Sequence, residues 1–301
     1  MMTEKRFGKG ENIWITIHSD YVATDSELYK QYGIDSEIIS YALDKNERAR
    51  FEYDNELEAF ILIYNVPRKK KNDNHYDAVP ITFLIKDKQL LTITNSDNHY
   101  VIQYMEKYLA KNQDDSVFKF LFASLFIITD KFFPMIEEMN RERNHMNDML
   151  KQKTTKNNLL ALSAVETGVV YFISATKQNT VLLEQIKTNI IYQSLNIVEK
   201  EQLEDTLIEA KQLVEMAQLT AQVLQQLSGT YNNILNNNLN DTMKLLTVLS
   251  ILLTIPTIVT GFFGMNMPLP FEHNVLGWVF AIVISLIGWF GLSFILRLIL
   301  K

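Results

Sequence analysis

Two long apolar segments near the end of the chain constrain its fold more than any other feature. They are Leu245–Phe263 and Val275–Leu296, and each is about the length that an α-helix needs to cross a hydrocarbon core of roughly 30 Å. A short hairpin that begins Gly264-Met265-Asn266 separates them. The sequence therefore predicts two membrane-spanning helices, at 245–263 and 275–298, with a connecting loop at 264–274 and a tail at 299–301.

The charges beside these spans predict how the chain lies in the membrane. Lys244 precedes the first span, Arg297 and Lys301 end the second, and the hairpin contains no Lys or Arg. Because positive charge collects on the cytoplasmic side, both termini are predicted to be cytoplasmic, in a multi-pass protein of the cell (inner or plasma) membrane. The N-terminal segment lacks the apolar core of a signal peptide, so the large polar part of the chain is predicted to stay in the cytoplasm.

Composition and motifs argue against several classes of function. The 301 residues carry a net charge of -6 and no cysteine, which argues against nucleic-acid binding and excludes disulfide frameworks and thiolate metal sites. No P-loop, dinucleotide-binding glycine motif, zinc-protease motif or nucleophile elbow occurs in the sequence. The five histidines are scattered without metal-ligand spacing. The residues therefore predict no enzyme, no bound cofactor and no nucleic-acid partner.

The first hundred residues have a mixed α/β pattern, and the next hundred are helical. Short segments rich in β-branched and aromatic residues predict five strands, at Ile13–His18, Arg50–Tyr53, Glu58–Asn65, Pro80–Lys86 and Gln89–Thr94. Helical patterns and N-cap signals predict five helices, at Thr24–Tyr32, Ser36–Leu43, Asn98–Lys111, Val117–Lys151 and Asn157–Leu195. Residues 1–196 are therefore predicted to form one cytoplasmic domain whose second half is helical.

A single very long helix is predicted from Ile197 to Phe263, with residues 197–244 forming a stalk that continues into the first span. Along the stalk, apolar and small residues alternate in steps of four and three, at Leu203, Leu207, Ala210, Val214, Ala217, Ala221, Leu224, Ser228, Tyr231 and Leu235. This heptad seam is compatible with packing of the stalk on its own domain and with self-association. Two further features favour self-association.

The first is a row of polar and small residues that begins at Asn240 and follows the same alternation of steps through the first span. We call this row the polar stripe; its members are Asn240, Met243, Thr247, Ser250, Thr254, Thr257, Gly261 and Gly264. Lipid cannot satisfy hydroxyl groups, so the stripe is predicted to face protein or water. Close helix packing through small residues is one explanation, and a stripe that faces a shared axis, hence a pore, is the other. Hydroxyl groups can also bond to their own helix, so no single residue is decisive.

The second feature is a run of asparagines where the stalk meets the membrane. Its members are Asn232, Asn233, Asn236, Asn237, Asn238 and Asn240. Asparagine is a poor residue for a helix interior, so the run requires a reason. One explanation is a ring of amides at the cytoplasmic mouth of a pore. The alternative, a solvated helix face, applies to every member except Asn240, which lies on the polar stripe.

In the architecture of its whole length, the chain resembles the CorA family of divalent-cation channels. The resemblance is sharpest over Asn240–Asn266, NDTMKLLTVLSILLTIPTIVTGFFGMN, where Gly-Met-Asn ends the first span. It implies an α+β membrane protein with a cytoplasmic α/β/α funnel, assembled as a homopentamer in which the first spans line the pore and the second spans lie outside them. It also implies uptake of Mg2+, with Co2+ and Ni2+ as alternates, and contact with membrane lipid.

The resemblance assigns roles to particular residues. Gly264, Met265 and Asn266 would form the outer selectivity mouth, with Asn266 contacting a hydrated ion. The cytoplasmic constriction would consist of Asn240, Met243 and Leu246, and Thr257 and Gly261 would lie in the middle and upper pore. A regulatory divalent site between subunits would use Asp205, with Asp87 as its partner. Glu272 is the only carboxylate in the outer loop.

The chain also departs from the pattern of this family. The loop reads Met267-Pro268-Leu269-Pro270-Phe271 where Met-Pro-Glu-Leu is common, and Phe263 replaces the usual tyrosine. These differences bear on ion preference more than on fold. Two alternatives remain open: a Zn2+ transporter of the related ZntB type, against which the intact Gly-Met-Asn argues, and a membrane-anchored coiled-coil sensor or scaffold that does not conduct.

Overall fold

The computed structural model of the chain describes residues 2–22, 29, 32, 34, 36–55, 57–72, 75–152, 155–265 and 276–299. The chain divides into two compact units, Met1–Gly229 and Thr230–Lys301. The first unit contains a β-sheet with helices on both of its faces, and the second contains two long apolar helical segments. The predicted domain boundaries at 196 and 244 stay a prediction.

The first unit is built on a six-stranded mixed sheet. Its strands are β1 (Met2–Phe7), β2 (Asn12–His18), β3 (Arg50–Asp54), β4 (Ala59–Pro67), β5 (Ala78–Lys86) and β6 (Gln89–Thr94). Their order across the sheet is β1-β2-β6-β5-β4-β3, and among these neighbours only β2 and β6 run parallel. All five predicted strands are present. Strand β1 was not predicted because its exposed positions are charged or polar; it forms an edge by pairing with β2.

The described helices follow the predicted order with two corrections. They are α1 (Ser36–Leu43), α2 (Tyr100–Lys111), α3 (Val117–Asp130), α4 (Phe132–Gln152), α5 (Lys156–Thr188), α6 (Ile191–Ser194), α7 (Ile197–Phe263) and α8 (Gly277–Ile299). The helix predicted over Val117–Lys151 is divided at Lys131, and the one predicted over Asn157–Leu195 ends at Thr188. Most of the predicted helix Thr24–Tyr32 lies outside the described residues.

Two apolar cores lie on opposite faces of the sheet. On one face, Ile15, Ile61 and Leu84 pack with Ile38 of α1. On the other face, the core consists of inward-facing sheet residues and residues of α2, α3, α5 and α7, including Trp14, Phe83, Phe120, Leu182 and Leu203. Alternate residues of a strand point to opposite faces, so a sheet whose strands are apolar throughout must be covered on both sides. The observed layers are therefore helix, sheet and helix.

The part of the heptad seam that belongs to the first unit is buried within that unit. Leu203, Leu207 and Ala210 belong to the larger core, and the hydroxyl of Thr206 donates to the carbonyl oxygen of Phe122 at 3.1 Å. Ala217 and Leu224 are also buried. These side chains are not available to a second copy, so packing on its own domain, rather than self-association, explains the buried part of the seam.

Among the described residues, three helices are long and apolar enough to cross a membrane by length and composition: Lys156–Thr188, Ile197–Phe263 and Gly277–Leu298. The first was not predicted as a span. In its most apolar window 39% of the residues are buried in the protein, against 0% for each of the other two. Helix α5 also contacts strands β3, β4 and β5, so its apolar surface is part of the core of the first unit. The two predicted spans are the two helices whose apolar surface is left uncovered.

A pair of facing histidines lies where the parallel strands β2 and β6 end. The rings of His18 and His99 are 4.6 Å apart between centroids, and Nδ1 of His18 is buried without a hydrogen-bond partner. The Thr94 hydroxyl donates to the carbonyl oxygen of Ile17, so it must accept from Nδ1 of His99 at 2.8 Å. Burial lowers the pKa of both imidazoles below 6.5, and the neighbouring His18 lowers that of His99 further.

We expect this pair to make the first unit less stable as the pH falls. The carboxylates of Asp20 and Glu106 oppose the lowering at His18 and His99 respectively, without reversing it. A histidine whose pKa is lower in the folded state contributes stability above its unfolded pKa of about 6.5, and loses it as the pH falls below that value. The midpoint of thermal unfolding should therefore drop between about pH 7 and pH 5. In His18→Phe the drop should be smaller; an unchanged pH profile would contradict the assignment.

Candidate ion pathway

The polar stripe is exposed along the full length of the first span. Thr247, Ser250, Thr254, Thr257 and Gly261 are all exposed in the single chain. The two apolar members of the predicted cytoplasmic constriction are also uncovered, because Met243 is 57% and Leu246 56% exposed. No charged residue occurs between Leu245 and Met265. One chain thus presents an uncharged polar surface on a helix of membrane-spanning length.

The opposite side of the same helix packs against α8. Less exposed residues recur on α7 at Val248, Leu252, Ile255, Val259 and Phe263. At about 100° per residue, this apolar row lies roughly 180° around the helix from the polar stripe. The ring of Phe263 is 6.3 Å from that of Phe280 on α8, which places α8 on the side of the apolar row. The polar stripe therefore faces away from the other membrane helix of its own chain.

Small residues of α8 form its contact surface with α7. Gly277, Ala281, Ser285 and Gly288 are less exposed than the large apolar residues around them. A Cβ atom on Gly288 would lie 3.0 Å from Cγ2 of Ile255, whereas a Cβ atom on Gly291 would meet nothing within 4 Å. Since lipid supplies no hydrophobic drive for helices to associate, such close approach provides the contact energy.

Substitution of Gly288 by valine should therefore destabilise the helix pair, whereas the same substitution at Gly291 should not. The added methyl groups at position 288 would force α7 and α8 apart, at a cost of about 1–3 kcal/mol. Thermal unfolding of the detergent-solubilised protein measures the difference. Both variants place valine in the same helix, so equal losses would show that helix propensity, rather than the contact with Ile255, is responsible.

Every described hydroxyl of the first span donates its proton to its own helix. The bonds are Thr247 to the carbonyl oxygen of Met243 (2.8 Å), Ser250 to Leu246 (2.8 Å), Thr254 to Ser250 (2.9 Å), Thr257 to Leu253 (2.9 Å) and Thr260 to Pro256 (2.8 Å). A hydroxyl that has donated its proton retains lone pairs that accept. Four of these five residues belong to the polar stripe, so the stripe offers acceptors to whatever faces it.

The cytoplasmic end of the first span combines the predicted constriction with a pair of charges. Asp241 and Lys244 are exposed and form an ion pair of 3.3 Å. An open groove of about 560 Å³ runs along this flank, lined by Asn237, Asn240, Asp241, Met243, Lys244, Thr247, Val248, Ile251 and Leu296. The structure thus brings Asn240, Met243 and Thr247 together on one surface. Lys244 was predicted to set the orientation of the chain, and its ion pair with Asp241 was not predicted.

The outer end of the helix is described as far as Met265. Helix α7 ends at Phe263, and the amide of Gly264 still donates to the carbonyl oxygen of Thr260 at 2.9 Å. A Cβ atom on Gly264 would lie 3.1 Å from that same oxygen, so the position has little room for a side chain. The Met265 side chain is 44% exposed. Asn266 and Glu272 lie outside the described residues, and their roles stay predictions.

The two carboxylates of the predicted regulatory site are both exposed. Asp205 lies on α7 within the first unit, and Asp87 lies in the β5–β6 turn with a φ of 50°. Within the described part of the chain, no group of three or more His, Cys, Asp or Glu side chains could hold a metal ion. A site completed by a second subunit is compatible with this arrangement, and the assignment stays a prediction.

An uncharged row of hydrogen-bond acceptors along one face of a membrane-length helix differs chemically from a purely apolar, lipid-facing surface. It can accept hydrogen bonds from the water that surrounds a cation, without binding the ion by charge. Together with an α/β domain and a second apolar helix behind the row, this defines the class: a membrane protein whose first span carries a candidate ion pathway.

Comparison with known proteins is consistent with that class. The chain is 26% identical, over 287 residues, to the "Cobalt/magnesium transport protein CorA" of Methanocaldococcus jannaschii, covering 91% of this chain and 87% of that protein. The complete structure of the CorA magnesium transporter from the same organism matches with a TM-score of 0.81 at 22% identity, covering 98% of this chain and 93% of the other. The cytoplasmic domain of ZntB from Vibrio parahaemolyticus matches less well, with a TM-score of 0.55 at 12% identity over 76% of this chain and 88% of that one.

Residues 9–300 match the family described as "CorA-like Mg2+ transporter protein". The chain belongs to this family of membrane transporters. The resemblance drawn from Asn240–Asn266 is thereby confirmed.

Proposed function

We propose that this protein is a channel for the uptake of Mg2+, with Co2+ and Ni2+ as alternates, driven by the membrane potential. The observation that carries the proposal is the polar stripe, an uncharged row of acceptor hydroxyls opposite the face that packs on α8. Mg2+ loses its coordinated water molecules reluctantly. A hydrated Mg2+ ion in a pore therefore presents the hydrogen atoms of those waters to the pore wall. A row of acceptors is complementary to those hydrogen atoms. The Methanocaldococcus jannaschii relative is named a cobalt/magnesium transport protein, which supports the choice of Mg2+ and Co2+.

The polar stripe also favours an assembly of several chains. Its hydroxyl oxygens keep lone pairs that lipid cannot satisfy. The second membrane helix of the same chain packs on the opposite face of α7, so it does not cover the stripe. Further copies arranged around an axis would cover it and enclose water. We propose a homopentamer, in which the number five rests on the family resemblance.

Selection would take place at the outer end, and closure at the cytoplasmic end. Amide oxygens from a ring of Asn266 side chains accept hydrogen bonds from a hexahydrated ion and carry no fixed charge, so binding stays weak enough for release. Gly264 and Met265 would shape that mouth, and Glu272 would add a carboxylate near it. At the inner end, rings of Met243 and Leu246 form an apolar constriction that blocks passage by dewetting until the helices move. Asn240 would lie just below that constriction.

The membrane potential is sufficient to drive this transport. Moving a divalent charge inward across 100 mV is worth about 4.6 kcal/mol, twice the value for a single charge. This free energy supports uptake against a gradient of roughly a thousandfold. ATP hydrolysis is therefore unnecessary, in agreement with the absence of a nucleotide-binding motif from the sequence.

Intracellular Mg2+ would close the channel by binding between subunits. Carboxylates of Asp205 and Asp87 on neighbouring subunits would repel one another, and a bound divalent cation would neutralise them and hold the closed state. Such binding shifts the equilibrium only by its difference in affinity between the two states. Both side chains are exposed in the single chain, which leaves them available to a neighbour.

Flux through purified protein tests the proposal. Mg2+ influx into proteoliposomes with low internal Mg2+ should follow an imposed inside-negative potential and should be absent from protein-free liposomes. Co2+ and Ni2+ should compete with Mg2+. Preferred influx of Zn2+ would favour the ZntB-type alternative, and no influx of any of these ions through correctly folded protein would favour a scaffold.

A further inference from the structure

The alternation that defines the polar stripe continues toward the cytoplasm through three asparagines. Counting back from Met243 in steps of three, four and three reaches Asn240, Asn236 and Asn233. We call these three residues the asparagine row. All three are exposed, and all belong to the second compact unit. The row therefore extends, with neutral amides, the same face of α7 that carries the acceptor hydroxyls.

The amino-acid composition of this segment is not typical of a solvent-exposed helix. Asparagine disfavours helix interiors, and solvent-exposed helix faces are ordinarily rich in charged residues. Residues 216–240 contain no Asp, Glu, Lys or Arg, although Glu215 and Asp241 lie directly on either side. A long uncharged stretch between two carboxylates, rich in amides on the face that continues the stripe, indicates that charge is excluded there.

We propose that the asparagine row is the neutral cytoplasmic approach of the pore, and that its lack of charge allows Mg2+ to leave without being held. The inference rests on the proposed function and deepens it. Carboxamide oxygens accept hydrogen bonds from the water shell of the ion as the stripe hydroxyls do. A ring of carboxylates at the same place would attract a divalent ion twice as strongly as a monovalent one. Conduction requires sites that are weak enough to leave.

The matched pair Asn236→Asp and Asn238→Asp tests the proposal. Both residues are exposed asparagines of the same helix, but two positions correspond to about 200°, so Asn238 lies on the opposite side from the row. Mg2+ influx into proteoliposomes is measured at fixed potential while internal Mg2+ is raised, and Mg2+ binding to the detergent-solubilised protein is measured by calorimetry. Asn236→Gln keeps the amide and serves as a second control.

In Asn236→Asp, internal Mg2+ should halve the influx at about a tenfold lower concentration, and calorimetry should detect additional bound Mg2+. Asn238→Asp should behave as wild type, and Asn236→Gln should keep the wild-type sensitivity to internal Mg2+ because it retains the amide. Equal behaviour of the two aspartate variants would overturn the inference and leave the asparagines as a solvated face. Failure of the proposed function would be recognised separately, because wild-type protein would then show no influx. In that case the inference fails with it, whatever the variants bind.

Discussion

Replacing Thr254 and Thr257 together by valine should lower Mg2+ influx about a hundredfold, a loss equivalent to about 2.7 kcal/mol. Valine has nearly the shape of threonine but cannot accept a hydrogen bond. Both hydroxyls donate to their own helix at 2.9 Å and keep an acceptor on the exposed stripe. A net hydrogen bond is worth about 0.5–1.5 kcal/mol, so the loss of two rings of acceptors accounts for an effect of this size.

Thr260→Val provides the matched control. Its hydroxyl also donates to its own helix, at 2.8 Å, but it lies about 120° around the helix from Thr254 and outside the stripe. Influx through this variant should stay within about twofold of wild type, because it removes the same intrahelical bond without touching the pathway. Thr254→Ser, which retains a hydroxyl, should also conduct. Equal losses in the stripe and control variants would mean that the hydroxyls serve helix structure and that ions pass elsewhere.

Asn179→Ala should destabilise the first unit by about 3 kcal/mol, because it leaves buried backbone groups without partners. Asn179 lies in α5, where it is 2% exposed. Its Oδ1 accepts from the backbone N–H of Asn65 at 2.8 Å, and its Nδ2 donates to the carbonyl oxygen of Asn65 at 2.9 Å. Strand β3 pairs with β4 only as far as Ile63, so it offers no partner to Asn65, which lies further along β4. The side-chain amide of Asn179 makes the backbone hydrogen bonds that a longer β3 would have made.

The loss can be followed in the thermal unfolding of the whole protein. For a domain of this size, about 3 kcal/mol corresponds to a drop of roughly 6–12 °C in the midpoint of unfolding. Asn157→Ala, which removes an exposed asparagine from the first turn of the same helix, is the control and should leave the midpoint within about 2 °C. An equally small change in both variants would show that water replaces the lost amide and that the bonds to Asn65 contribute little.

Much of the fold could be predicted because its signals are local. Five strands and the course of α7 follow from residue patterns that span only a few turns or a few alternating positions. The errors occurred where tertiary contacts override such patterns. Strand β1 is polar and forms only because β2 offers it a partner along residues 2–7. Helix α5 has the length and composition of a membrane span, yet packing against the sheet accounts for its apolar residues.

For the candidate pathway, too, the sequence predicted the local pattern and the tertiary contacts decided its meaning. The polar stripe could be identified from its steps of three and four, and the structure places its described members on one exposed face. The sequence could not separate pore lining from helix packing, because both use small and hydroxylated residues. The position of α8 on the opposite side of α7, established by the contacts at Gly288 and Phe263, removes packing within the chain as an explanation.

By itself, the sequence determined that the chain ends in two apolar helices, that one of them carries a polar stripe, and that a mixed α/β domain precedes them. Periodicity and composition are properties of neighbouring residues, so they can be recognised without a folded chain. Only the tertiary structure decided that Leu203, Leu207 and Ala210 of the stalk seam are buried in the first unit, that α5 belongs to the core, and that the stripe faces away from α8. These outcomes depend on which surfaces meet after folding, and residues far apart in the chain determine those contacts.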